Sequence, residues 1–414
     1  MNTDPPIKHI VISSGGPAGH MMYSILRTLN LTGFWNIKNI KTIYGSSIGS
    51  FAAILIALQY EWEVMDDYLI KRPWEKIFMS SSSSSGTSDP TEHASASSAS
   101  ASAASSLSDA KNKLDYVFKL YKNHGLYGLK EFTEMLRPAL QGKDISVNVT
   151  FQEFYERTGI ELHFTVTELN KFQTVDFSHK THPKQGLVEA CYMSCCYPFG
   201  FTPIYRDGCC YIDGGIINDY PVNECIRDQK CDIREILGIK MLWERKPANL
   251  TDKSSVLQFI STFFNQIKGN LFENRPTKPI PNEVVCVSKV FASQEWMNWM
   301  KDENYRRELV LRGETFANVF MSYRRNFTES FHMNAAPVPA VPAVPAVPAV
   351  PATVAVAPIQ PQVVLDTTLV LEPDTTIPIP EAEAKAEAEA EAKAEAEAEA
   401  EPSTIMEGES TTMM

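Results

Sequence analysis

Apolar positions in the first 330 residues follow two rhythms. Compact apolar runs read as buried strands: Ile7 to Ser13 (IKHIVIS), and a stretch through Ile40, Ile43 and Tyr44. Ile160 to Thr167 (IELHFTVT) alternates and reads as a strand, as do Gln173–Phe177, Ile236–Met241 and Glu283–Val287. Other segments repeat at helical spacing or hold helix formers without a breaker. These are His20–Asn30, Phe51–Tyr60, Glu61–Phe78 with a break at Pro73, Phe151–Arg157, Ser254–Lys268 and Asn304–Tyr323. Leu187–Cys196 (LVEACYMSCC) reads as a small-residue helix ended by Pro198. Leu114, Val117, Phe118 and Tyr121 make a helical stripe, Leu129–Leu140 another, and both are expected to pack into the core. Trp296, Met297, Trp299 and Met300 read as a packed edge of the globule rather than a membrane-touching face.

Two regions break these rhythms. Residues 80–108 are almost wholly Ser and Ala, cannot bury apolar area, and are expected to be a disordered insertion. From Ala335 to Pro351 the unit Val-Pro-Ala repeats, the pattern of a polyproline II spacer, and Glu381–Glu401 is an Ala/Glu repeat with two lysines. The chain's net charge of −12 is local to this end. From Thr353 onward there are 14 acidic residues and 2 lysines, so the remainder balances, and the acidity says nothing about an anionic or cationic substrate. A nucleic-acid partner is not expected.

The N-terminus, MNTDPPIKHI, lacks an apolar signal core, and no run approaches the ~18 apolar residues of a membrane span. The eight cysteines include the adjacent pairs Cys195-Cys196 and Cys209-Cys210, which suit no common disulfide framework and form no C-x-x-C pair. The expectation is a reduced, cytoplasmic protein without a metal site.

Three stretches carry chemistry. Gly45-Ser46-Ser47-Ile48-Gly49 is a G-x-S-x-G pentapeptide between a strand and a helix. Such an elbow holds the middle serine in a strained conformation with its hydroxyl presented, and glycines let neighbouring elements approach. Ser14-Gly15-Gly16-Pro17-Ala18-Gly19 also joins strand to helix but fits neither G-x-G-x-x-G nor the P-loop. Its remaining use is an oxyanion hole, with donors from Gly15, Gly16 or Ala18, since Pro17 has no N–H. Asp213-Gly214-Gly215 follows a short strand at Tyr211-Ile212 and is completed by Asn218 and Pro221, so a carboxylate sits on a tight turn. Each stretch alone is also the pattern of an ordinary turn.

A serine hydroxyl is a poor nucleophile until a base takes its proton. The order Ser, Asp, His would require a histidine after Asp213, but only His332 follows, beside the tail. His163, His179 and His182 read as ordinary core or surface residues. Asp213 itself therefore reads as the base.

Together the three stretches resemble the patatin-like phospholipase family over roughly residues 7–224, extending toward 330. The family's Gly-rich loop matches Gly15, Gly16 and Gly19, its nucleophile matches Ser47, and its D-G-G aspartate matches Asp213. The small-residue helix before Pro198 and Phe199-Gly-Phe-Thr-Pro203 are similar to the family's approach to that aspartate. The chain departs from the family pattern twice: Ser14 replaces the loop's first glycine, and Ala18 its usual basic residue. The resemblance implies an α/β fold, a three-layer α/β/α sandwich with a central, mostly parallel sheet. It implies one acyl hydrolase domain over residues 7–333, interrupted by the 80–108 insertion, with a tail over 334–414. Its implied site is a Ser47–Asp213 dyad, an oxyanion hole from Gly15, Gly16, Ala18 and Gly19, an elbow framed by Gly45 and Gly49, and Gly214 and Gly215 beside the aspartate. The implied substrate is a phospholipid or other acyl-ester lipid met at a membrane surface, with no cofactor. An acyltransferase or neutral-lipid esterase using the same dyad, and a non-enzymatic interaction protein on a degenerate fold, are the rival readings.

Overall fold

In a computed structural model, residues 4–79, 117–244, 277–289 and 293–334 are described, with positions between 250 and 267. Contacts divide the chain into Met1–Pro339 and Ala340–Met414. The Ser/Ala insertion and both tail repeats lie outside the described residues.

The strands are β1 (His9–Ile12), β2 (Thr42–Ser46), β3 (Gly125–Tyr127), β4 (Glu161–Glu168), β5 (Gln173–Phe177), β6 (Phe199–Phe201), β7 (Ile204–Arg206), β8 (Cys209–Asp213), β9 (Ile236–Glu244) and β10 (Glu283–Lys289). Eight form one sheet in the order β10-β9-β1-β2-β4-β8-β7, with β5 also on β4. The pairs from β10 through β4 are parallel, and those of β4 with β5 and β8, and of β7 with β8, are antiparallel. β3 and β6 form a separate parallel pair. The expected mostly parallel central sheet is therefore present.

Register on β4 positions the chemical motifs. Glu161 to Thr165 pair with β2, and Val166 to Glu168 pair with β8. β5 runs along Phe164 to Glu168, so it occupies the opposite edge. β2 and β8 thus lie end to end along one edge of β4, their C-terminal ends facing each other. Ser46 is opposite Thr165 and Asp213 is opposite Val166.

Strand alternation sends side chains to two cores. Ile10, Ile12, Ile43, Leu162, Phe164 and Val166 join the larger one, with α1 (Gly19–Leu31), α2 (Ile48–Ala57) and a helix at Leu187–Cys195. Val11, Tyr44 and Ile236 join the smaller, under a helix at Val222–Gln229. These are the two outer layers. In chain order, further helices include α3 (Trp62–Asp66), α4 (Trp74–Met79), α5 (Leu129–Gln141) and α6 (Phe151–Thr158). The Leu187–Cys195 helix is α7, the Val222–Gln229 helix α8, and α9 (Ser293–Lys301) and α10 (Glu303–Asn334) come last. α6 is opened by a capping box, Thr150 with Glu153, and closed by Gly159 at φ +70°.

The N-terminus of α1, directly after the glycine loop, is anchored by a neutral histidine. His20 lies between Trp299 Nε1 (3.2 Å to Nδ1) and the Leu69 carbonyl (3.1 Å from Nε2). The indole can only donate, so Nδ1 accepts and the ring proton on Nε2 goes to Leu69. Burial lowers the His20 pKa to about 4. Buried Arg306 donates to the carbonyls of Ile70, Trp299 and Met300, which ties α9 and α10 to the turn after α3. Trp299 and Met300 are buried and Trp296 and Met297 pack on the same core, so that stretch is the packed edge its spacing suggests.

One packing expectation fails. Residues 117–123 are helical, but Val117, Phe118 and Tyr121 are exposed rather than packed in the core. Nothing in an eight-residue stripe distinguishes a face that meets the core from one that does not. Leu114 and much of Ser254–Lys268 lie outside the described residues.

On the smaller core's side, His163 stacks on Tyr44 with ring centroids 4.0 Å apart. It bonds Asp176 through Nδ1 (2.9 Å) and Glu161 through Nε2 (2.5 Å), and Glu161 also meets Lys180 at 2.7 Å. Burial alone would lower the His163 pKa. The bonds to Asp176 and Glu161 outweigh it and raise the pKa to about 9, while Glu161, despite burial, falls to about 2. An imidazolium favoured by the fold stabilises fully below its unfolded pKa near 6.5 and loses that contribution as pH rises through 9. Stability in urea should therefore fall between pH 6.5 and 9, by at most about 3 kcal/mol from this group. His163→Gln should flatten that slope. A wild-type protein equally stable at both pH values, or a variant with the same slope, would contradict the assignment.

Candidate active site

Ser47 sits between β2 and α2 with φ +53° and ψ −125°. A non-glycine residue held there costs on the order of 1–3 kcal/mol and persists only when its surroundings enforce it. Close backbone approach supplies the enforcement. A Cβ on Gly49 would fall 2.4 Å from the Ile12 carbonyl oxygen, so only glycine lets α2 press onto the end of β1.

Ser47 Oγ donates to Asp213 Oδ2 at 2.5 Å. Both are buried, at 8% and 3% exposure. The other carboxylate oxygen, Oδ1, accepts the Gly215 N–H at 2.7 Å, so the turn fixes the carboxylate's orientation. Gly214 makes room for the junction: a Cβ there would fall 1.9 Å from the Thr165 carbonyl oxygen.

The segment after Asp213 is clamped to the other two motifs. Ser46 Oγ donates to the Asn218 carbonyl at 2.8 Å, and the Ser14 N–H donates to the Asp219 carbonyl at 2.7 Å. The glycine loop, the elbow and the Asp-Gly-Gly turn are thus one bonded unit.

Within the loop, Gly16 takes φ +49° and Gly16–Ala18 form a short 3-10 turn. The Ala18 N–H donates to the Gly15 carbonyl at 3.0 Å, and the Gly19 N–H donates to Gly16 and Pro17. Those two amides are bonded inside the turn. Gly15 and Gly16 have no such bond within the turn. Gly15 and Gly19 both lie against the Ile48 side chain, placing the loop over the first residue of α2. Ser14, where the resemblance expects glycine, is buried with its Oγ unpartnered among the described residues.

Sequence reasoning missed Ser194, on α7. Its Oγ accepts the Ser47 N–H at 2.9 Å, donates to the Thr165 carbonyl at 2.7 Å, and lies 2.8 Å from Ser50 Oγ. The backbone of Ser47 is therefore held from behind by a fully buried hydroxyl. A lone serine in a small-residue helix gives no local signal for this.

The nearby thiols of Cys195 and Cys196 are buried. Burial first, then Cys191 and the charge of Asp213, push the Cys195 pKa well up, and burial likewise raises Cys196. A thiol is reactive only as thiolate. All eight cysteines are free, and among the described residues no group of three His, Cys, Asp or Glu side chains could hold a metal.

The profile of the patatin-like phospholipase family matches residues 10–226, just over half of the chain, and the protein belongs to that family. Over 220 residues it is 24% identical to "Probable lipid hydrolase 463L" of Invertebrate iridescent virus 6, covering 53% of this chain and 63% of that one. It is 23% identical over 220 residues to "Uncharacterized protein R571" of Acanthamoeba polyphaga mimivirus, covering 53% and 62%. The chain thus spans less than two thirds of these curated relatives. Among solved structures it is similar to VipD from Legionella pneumophila, with TM-score 0.43 and 16% identity over 77% of this chain and 67% of that one. It is also similar to the ExoU–SpcU complex of Pseudomonas aeruginosa, with TM-score 0.33 and 15% identity over 76% and 52%.

Ser194→Ala would strand the buried Ser47 N–H. It should lower unfolding stability in urea by about 1–3 kcal/mol. A change below about 0.5 kcal/mol, the size expected of a surface substitution, would contradict the support assigned to this hydroxyl.

Proposed function

We propose that the chain is a lipid acyl hydrolase, a serine esterase of the phospholipase type, with its catalytic unit in residues 7–333. The observation that carries this is the 2.5 Å hydrogen bond between Ser47 Oγ and Asp213 Oδ2 in a buried site beside a glycine loop. The family membership supports a lipid ester as substrate.

Asp213 takes the Ser47 proton as Oγ attacks the ester carbonyl carbon. The carbonyl oxygen becomes an oxyanion, received by the amides of Gly15 and Gly16 and favoured by the positive N-terminal end of α2. Collapse breaks the ester C–O bond, and the departing alcohol takes the proton from Asp213. A water then gives its proton to Asp213 and attacks the acyl-enzyme. Its collapse releases the fatty acid and returns the proton to Ser47 Oγ. One carboxylate serves as base and acid in both halves, so no histidine is required.

The usual basic residue of the loop is Ala18 here, and its backbone amide is used within the turn. Oxyanion stabilisation then rests on backbone donors alone. Among the described residues no helix is long and apolar enough to cross a membrane.

Ser47→Ala and Asp213→Asn should each cut turnover of p-nitrophenyl butyrate by at least about 1,000-fold, the scale of losing a nucleophile or its base. Their far-ultraviolet circular dichroism should remain native. Wild-type turnover by folded Ser47→Ala protein would refute the dyad.

A further inference from the structure

The end of the sheet that carries the dyad also carries a row of exposed apolar side chains. β4 runs parallel to β2 and continues past the level of Ser47 into the Leu169–Phe172 turn. That turn is bonded to the neighbouring hairpin: the Leu169 N–H donates to the Cys210 carbonyl at 2.8 Å, and the Cys210 N–H donates to Asn170 Oδ1 at 2.7 Å. Tyr205 stands opposite Cys210, and its hydroxyl meets His124 Nδ1 at 2.9 Å. Gly125, the next residue, pairs with Phe199. One continuous edge therefore presents Phe172, Tyr205 and Phe199, which are 49%, 62% and 43% exposed. It reaches the site directly, because the Asp213 N–H donates to the carbonyl of Cys196, three residues before Phe199.

Two of these aromatics are also strained. Phe172 has φ +51° and Phe199 φ +67°, the left-handed region that bulky residues avoid. A chain needing only a turn would be served better by glycine or asparagine there. Phenylalanine at both positions costs backbone strain and leaves much of an apolar ring in water. Exposed apolar groups gathered beside a site mark a contact surface. Aromatic rings favour the boundary between water and hydrocarbon, and an apolar edge anchors a protein at that boundary without spanning it.

We propose that this aromatic edge is the surface by which the protein seats on a lipid bilayer, with Phe172 and Phe199 entering the headgroup boundary and bringing the Ser47 hydroxyl to the lipid. The choice of a bilayer as occupant rests on the lipid hydrolase reading and on the edge's continuity with the dyad.

The test compares the full chain with the double variant Phe172→Asn/Phe199→Asn, in which asparagine suits the backbone. Sedimentation with phosphatidylcholine–phosphatidylserine vesicles, in a Ser47→Ala background so that no lipid is consumed, reads binding. With Ser47 intact, p-nitrophenyl butyrate turnover reads the site. The double variant should bind vesicles at least about tenfold more weakly, while its melting temperature and soluble-ester turnover stay at parental values. Undiminished vesicle binding would overturn the proposal, as would a parent that does not bind vesicles. Loss of soluble-ester turnover, or a lowered melting temperature, would show that the rings serve the fold instead. A parental dimer that the variant splits would assign the edge to a second copy of the chain. Weakened vesicle binding with no ester turnover in either protein would leave the surface standing and remove the hydrolase reading.

Discussion

Two strands that run toward each other along one edge of β4 are the constraint on which the site depends. Thr165 and Val166 are neighbours, and they take Ser46 and Asp213 as their pairing partners. The hydroxyl of Ser47 and the carboxylate of Asp213, 166 positions apart in the chain, are thereby set at adjacent rungs of a ladder. The distance between them follows from backbone hydrogen bonds rather than from mobile loops. A site on strands keeps the sub-ångström tolerance that proton transfer demands.

Thr165 does more than set register. Its carbonyl accepts from Ser194, whose hydroxyl holds the Ser47 amide, and the same carbonyl sits where a side chain on Gly214 would have to go. The polar groups of this buried junction are partnered by short side chains on three elements: Ser46, Ser50 and Ser194. Buried polar groups persist where such partners exist. Among the described residues the hydroxyls of Ser14 and Thr167 are unpartnered exceptions, Ser14 at a position where the chain departs from the family's glycine pattern.

The strand–loop–helix units around residues 15 and 47, and the turn at Asp213, are legible in the sequence because each is a local pattern with a mechanical reason. The parallel sheet follows from the family resemblance those patterns carry. The end-to-end arrangement of β2 and β8 is not legible, since register is a non-local property that no window of residues contains. Ser194 is invisible for the same reason: its importance lies in what α7 is packed against. Strands β3, β6 and β7 are three residues each, too short for alternation to register. His163 reads as an ordinary histidine from its strand, but its ion-paired setting is assembled from Asp176 and Glu161, two carboxylates of the same hairpin. The spending of the Ala18 amide inside its own turn becomes visible only once Gly16 is seen in the left-handed region.

The proposed joint action of Ser47 and Asp213 is tested most directly by a fluorophosphonate probe, which bonds only to an activated serine, with the adduct located by peptide mass mapping. The wild-type chain should carry the adduct on Ser47, and the folded Asp213→Asn protein should carry none on the same timescale. Equal labelling of the two proteins, or an adduct on a different serine, would contradict the account.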